Sequence, residues 1–336
     1  MKQGYFSLLL KCLFVALPAV ALFAVYLIAD PYKVLHTTKF HNYYNWQPYE
    51  LNRDFVSTQN FHAGKAAGFN AFIFGSSRSF VYHTNVWESY LPEGHHAYHY
   101  DALSETLFGW HGKVKLLETE GVPIQQALVI LDESLLKNVV NDKDVIHIKH
   151  PAVSGENALA FQSVFLKSYF TDFFFKRFIK FWLTGNRHAF DGTAFQIKPN
   201  YFTTEAGHNN FYYTGYDSLL KADSLKFYAD HGEGFQSRAA DKVAKPVIGS
   251  KQQQLLEEIA AVFKKNGTRV EIVINPLFDQ QQLHPSDKNK LQQIFGTTAV
   301  HDFSGVNEYT AFEGNYYDPH HYKEPVAISI LNKIYH

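Results

Sequence analysis

The sequence predicts an α/β fold, a parallel sheet with helices on both faces in three layers. Two observations carry this. Short apolar runs recur at 71–74, 127–131 and 270–274, compact enough to be strands buried on both faces. Stretches of helical spacing separate them, and strands alternating with helices indicate crossover connections and hence parallel pairing.

The first strand is expected at 71–74, and 96–100 alternates like a second. The run 127–131 is a third. An amphipathic helix follows at 252–265, with Leu255, Leu256, Ile259, Val262 and Phe263 on one side and Gly267 ending it. Residues 270–274 form the next buried strand, stopped by Asn275-Pro276. A short late strand is expected at 299–303. A C-terminal helix is expected at 326–334, with Val326, Ile330, Leu331 and Ile334 apolar. In such sheets ligands gather at the carboxyl ends of the strands. Ser77 lies just past one such end, and the loop holding Asp318 follows the last strand.

Composition narrows the function classes. With 336 residues, 46% of them hydrophobic, the chain can build a large core. A net charge of -1 argues against nucleic-acid binding through charge. The single cysteine, Cys12, excludes an intramolecular disulfide and a cysteine metal site. The 18 histidines include His95-His96, His147 with His150, and His320-His321, none with a third and fourth ligand at a recognised spacing. No metal is expected, and without a phosphate-cradling glycine loop no nucleotide cofactor either.

The N-terminal stretch sets the expected address. Residues 12–29 are uninterruptedly apolar, with Lys2 and Lys11 before them and Asp30-Pro31 after. About 18 to 20 such residues suffice to cross a bilayer, and Pro18 is tolerated in a membrane helix. The expectation is a single-pass anchor at 1–30, N-terminus inside and the rest exocytoplasmic, periplasmic or extracellular, with the lipid bilayer as a partner. A cleaved signal peptide is the competing reading, since Ala19-Val20-Ala21 offers small residues. Residues 31–69 form an aromatic-rich connector expected to lie over the domain, and 70–336 the α/β domain. A helical, aromatic insertion interrupts that domain at about 151–249.

Within the insertion, 158–183 has a helical pattern with aromatics on almost every face, among them Phe161, Phe165, Tyr169, Phe174, Phe178 and Trp182. Lys167, Lys176, Arg177 and Lys180 are interleaved. Two readings stand: a cap packed on the sheet, or an interfacial helix against lipid or a membrane partner.

Two short segments carry the chemistry. Gly75-Ser76-Ser77-Arg78-Ser79 follows the first strand, and Asp318-Pro319-His320-His321-Tyr322 lies near the C-terminus. A serine nucleophile needs a turn that presents its hydroxyl, a base to take its proton and a carboxylate to orient the base. Ser77, His321 and Asp318 supply these types in the order Ser, Asp, His. Each segment also has an ordinary reading, Ser77 capping the next helix and Asp318-Pro319 starting one.

Gly75-Ser76-Ser77-Arg78 resembles the first block of the SGNH (GDSL-like) hydrolases, with Ser76 where the family usually has Asp. Asp318-x-x-His321 resembles their last block. The resemblance covers roughly 70–336 and is closest to the membrane-anchored members that serve alginate acetylation and D-alanyl transfer in teichoic acid synthesis. It implies Ser77 as nucleophile, His321 as base and Asp318 as its partner. Activity would be that of a serine esterase or O-acyltransferase on a cell-envelope glycan, lipid or similar alcohol. The alternative is a non-catalytic binding or assembly partner of a membrane acyltransferase. For the oxyanion the candidates are the backbone N–H groups of Ser77 and of Gly109 or the chain near Ser104. Where the family has a third-block Asn, this chain reads Leu131-Asp132-Glu133-Ser134. Arg78 is a candidate charge stabiliser, or equally one half of a salt bridge under the turn.

Overall fold

A computed structural model describes residues 2–36, 40–197, 202–231, 235, 238 and 242–336. Parts of the expected insertion (198–201 and most of 232–241) therefore lie outside the described residues.

Helix α1, Lys2–Ala29, is followed by the short α2, Tyr43–Trp46, and by α3, Arg53–Gly64. Strand β1, Ala71–Gly75, leads through a tight turn into α4, Thr84–Glu88. Then come β2, Ala97–Asp101, α5, Leu107–Thr119, β3, Gln126–Leu131, and α6, Glu133–Lys137. The insertion contributes α7, Pro151–Ser154, α8, Ala158–Thr171, and α9, Phe174–Thr184. It continues with the two-residue strands β4, Thr203–Thr204, and β5, Phe211–Tyr212, then α10, Thr214–Ala222, and α11, Ser224–His231. The main domain resumes with α12, Ser250–Asn266, β6, Arg269–Ile274, α13, Pro285–Phe295, and β7, Val300–Asp302. It closes with α14, Glu308–Ala311, the hairpin strands β8, Tyr316–Asp318, and β9, His321–Tyr322, and finally α15, Glu324–Tyr335.

The central sheet has five strands in the order β2-β1-β3-β6-β7, and every pairing is parallel. The expected α/β class and the five expected strands are present. Successive side chains of a strand point to opposite faces, and here both faces are covered. Ala71, Ile73, Leu128, Ile130 and Val273 enter one apolar core. Phe72, Phe74, Tyr98, Val129, Ile272 and Ile274 enter the other. The second core is closed by α5, α12 and α13, with Leu255, Leu256, Ile259, Val262 and Phe263 buried as the helical spacing requires. The first is shared by the connector, the insertion and α15.

The connector is more than a cover. Phe40, Tyr43, Tyr44, Tyr49 and Phe55 are buried in the first core, and Asn52 caps α3 by accepting from the Phe55 N–H at 2.8 Å. Arg53, wholly buried, donates Nε and Nη2 to the two Asp101 oxygens at 2.8 Å each. That fork ties the connector to the carboxyl end of β2.

The N-terminal expectation needs correction. Among the described residues no helix is long and apolar enough to cross a membrane, which overturns the single-pass anchor and removes the ground on which the exocytoplasmic placement stood. The physical reason lies in what α1 touches. One face of its last two turns packs on the domain: Tyr26 is buried, and Leu22, Val25 and Ala29 lie against the first core, while Phe23, Leu27 and Ile28 stay exposed. The Tyr26 ring meets Tyr169 at 5.2 Å. What remains of the 12–29 run is well short of the ~20 residues that a crossing needs.

The aromatic stretch is two helices, not one. α8 ends at Thr171, and Phe173 takes a left-handed backbone, φ 53°, before α9 begins. Phe161, Phe165, Tyr169, Phe174 and Phe178 are buried core, as a packed cap demands, while Phe173 and Trp182 stay exposed.

Buried histidines give the fold a pH dependence. Burial beside Phe55 and Phe161 lowers His150 to about 4, only partly countered by Asp54. Burial also holds His99 well below its ordinary value. Between about 6.5 and 4 the unfolded His150 binds a proton that the folded one does not. Stability should therefore fall as pH drops through that window, by on the order of 1–3 kcal/mol. His150→Asn keeps an acceptor for the Ala152 N–H that His150 now caps. It is expected to flatten this part of a urea-unfolding profile against pH, and an unchanged slope would refute the assignment.

Candidate active site

Strand β1 runs into a single 3₁₀ turn, Ser77–Ser79, whose first residue is Ser77. Two hydrogen bonds set this turn. The Ser79 N–H and the Ser79 hydroxyl both donate to the Ser76 carbonyl, at 2.8 and 2.7 Å. With its proton so used, Ser79 Oγ accepts from His99 Nε2 at 2.8 Å. The turn packs so closely on the sheet that a Cβ on Gly75 would stand 2.7 Å from Ser79 Cβ and 3.0 Å from the Ile130 carbonyl. Glycine is the residue that fits.

Asp318 and His321 sit opposite each other as partners in the β8–β9 hairpin. Asp318-Pro319 therefore opens a β-turn and not a helix. Asp318 Oδ1 accepts the backbone N–H groups of His320 and His321 at 2.8 and 3.1 Å. His321 Nδ1 lies 2.9 Å from both Asp318 oxygens. A carboxylate only accepts, so Nδ1 carries the proton and Nε2 presents its lone pair. Ser77 Oγ is 2.9 Å from that Nε2. Burial alone would raise the Asp318 carboxyl, but the hydrogen bond and charge of His321 and the His320 N–H outweigh it and hold it below the usual value. The three side chains named from the sequence are thus brought together in one hydrogen-bonded line.

Behind the hairpin, the Tyr322 hydroxyl lies 2.7 Å from Asn275 Oδ1 and 3.1 Å from the Tyr82 hydroxyl. The Tyr316 hydroxyl donates to the Pro276 carbonyl at 2.9 Å. These contacts lock the hairpin to the end of β6.

A cavity of 430 Å³ opens over Ser77, lined by Ser76, Ser77, Arg78, Ser104, Glu105, Ser134, His320 and His321. Every one of these side chains is polar. Gly109 is absent from it. It lies in the first turn of α5, and its N–H donates to the Thr106 hydroxyl at 3.1 Å, so this oxyanion candidate is corrected. The chain near Ser104 is better placed. Ser104 holds φ 46°, a left-handed backbone unusual for a residue other than glycine. Neither its N–H nor that of Ser77 meets an acceptor among the described residues. Its neighbour Glu105 is clamped between Lys113 and Lys149, the latter at 2.8 Å. Burial works to raise Glu105, but the two ammonium groups outweigh it and hold its carboxyl below the usual range.

Asp132, directly after β3, caps α6 through the Ser134 N–H at 2.9 Å. It also accepts from Asn275 Nδ2 at 3.2 Å and from Arg78 Nη1 at 2.6 Å. Burial alone would raise its carboxyl; the Arg78 charge and the donated hydrogen bonds keep it below the usual value. Arg78 thus forms the salt bridge under the turn, yet it also lines the cavity. Sequence reasoning did not assign Asn275, Tyr322 or the Glu105 clamp. The signal available was an Asn directly after a buried strand and a Tyr directly after the histidine pair.

Among the described residues no group of three or more His, Cys, Asp or Glu side chains is arranged to hold a metal ion. Neither the scan of protein-family models nor the search of curated proteins finds a match for this chain.

Proposed function

We propose that this protein is a serine-dependent acyl-ester enzyme, an esterase or O-acyltransferase of SGNH type. The observation that carries the reading is the continuous line from Ser77 Oγ to His321 Nε2 and from His321 Nδ1 to Asp318, each step 2.9 Å. Ser77 Oγ would attack the acyl carbonyl as its proton passes to His321 Nε2, and that proton then goes to the departing alkoxide. Water or an alcohol, deprotonated by the same His321, would release the acyl group from Ser77. The N–H groups of Ser77 and Ser104 are the donors for the oxyanion. Asp132, ionised, has no proton to offer it, so the Arg78 guanidinium is the group that could act in place of the family's Asn.

The polar lining favours a short acyl chain and a polar acceptor, such as a glycan hydroxyl, over a fatty ester. A second reading, a non-catalytic binding protein of the same fold, draws support from Asp132 alone. One experiment separates the two. A serine-reactive fluorophosphonate should label the wild type and not Ser77→Ala, and p-nitrophenyl acetate should be cleaved at least tenfold faster than the decanoate. Absence of labelling and of turnover would favour the binding protein. Preference for the decanoate would overturn the short-chain assignment.

A further inference from the structure

A second and larger cavity, 730 Å³, lies in the insertion between α8, α9 and the loops at 143–146 and 193–195. No residue lining it lines the cavity over Ser77. Its size falls in the range of small-molecule sites. Val145, Ile146, Val164, Phe174 and Phe195 supply apolar wall.

The charges around it are unevenly satisfied. Lys143 is paired with Glu156, and Asp144 with His147. Lys167 has no ion-pair partner among the described residues. Arg177 gives Nη1 to the Ala189 carbonyl at 2.9 Å and meets no carboxylate among them. Two cations without an ion-pair partner thus line the cavity. The opposing group is Asp172, which accepts from the Ser168 hydroxyl at 2.6 Å. The hydroxyls of Ser163 and Thr193 donate to backbone carbonyls at 2.7 and 2.6 Å. Donors free for a ligand therefore come from Lys167 and Arg177, whereas the walls offer only apolar contact.

We infer that this cavity binds an amphipathic anion, a phosphate or carboxylate headgroup held by Lys167 and Arg177 with an alkyl body against Val164, Phe174 and Phe195. Asp172 tempers the affinity by its like charge. The assignment does not depend on the chemistry at Ser77.

The test is titration calorimetry on the full chain with octyl phosphate below its micellar concentration. Saturable binding at one site is expected. Lys167→Ala combined with Arg177→Gln should weaken it roughly tenfold or more, the loss expected for charge-assisted hydrogen bonds. Asp172→Asn should tighten it. Inorganic phosphate, octyl glucoside and octylammonium should each bind at least tenfold more weakly than octyl phosphate. Equal binding of octyl glucoside, or equal affinity in the double variant, would overturn the anion assignment. Equal binding of inorganic phosphate would overturn the role of the apolar wall, and tighter binding of octylammonium would reverse the charge. Lys167 is exposed, so Lys167→Ala alone, which should weaken binding in the same direction, guards against a fold defect in the double variant.

Discussion

Ser77→Ala should lower acyl-ester turnover by roughly 10³-fold or more, with His321→Ala close behind and the double variant little worse than either. The reason is the geometry of one proton. His321 can take it from Ser77 only because Asp318 holds the other nitrogen protonated, so removing any one member disables the rest. Asp318→Asn is expected to cost a large part of the same rate, because an amide can donate to Nδ1 and invite the wrong tautomer. Steady-state kinetics on a short-chain ester, with urea unfolding to show that each variant is folded, would check this. Losses that multiply in the Ser77→Ala, His321→Ala double variant would refute a shared unit.

Arg53→Met should produce the largest change in stability. It leaves Asp101, wholly buried, with Asn209 Nδ2 at 3.3 Å as its remaining side-chain donor. Breaking a buried pair from one side costs roughly 3–5 kcal/mol. Burial already raises the Asp101 carboxyl against the pull of Arg53, and losing that pull raises it further. The folded variant then holds a proton that the unfolded chain releases, so its stability should fall as pH rises. Adding Asp101→Asn should recover part of the loss. Urea unfolding at two pH values decides the matter: a cost under ~1 kcal/mol would mean that the pair is dispensable.

The sheet was readable because its strands are buried on both faces. Such strands advertise themselves as apolar runs, unbroken at 71–74 and 127–131 and interrupted at 270–274 only by Glu271, and Phe72, Val129 and Ile272 needed no tertiary context to be placed. Ser77, Asp318 and His321 stood out because short motifs held them. What escaped notice depends on chain segments meeting from far apart. Nothing local to Glu105 announces Lys149, and nothing near Arg78 says that Asp132 will take its charge. The break at Phe173 was hidden because no glycine or proline marks it. Residues 12–29 misled for a related reason. A run of apolar side chains looks the same whether its last turns meet lipid or, as Leu22, Val25 and Tyr26 do, the protein's own core.

The hairpin that carries Asp318 and His321 also sets a schedule. Its His321 stands 244 residues beyond Ser77, and the hairpin is fastened by Tyr322 to Asn275 and Tyr82. While the ribosome is still making the chain, Ser77 has no base beside it, whatever of the sheet has formed. At synthesis rates of roughly 5–20 residues per second, that leaves an interval on the order of ten seconds or more in which Ser77 is an ordinary alcohol. If Ser77 is the proposed nucleophile, it is therefore kept unreactive until the rest of the domain exists to enclose it.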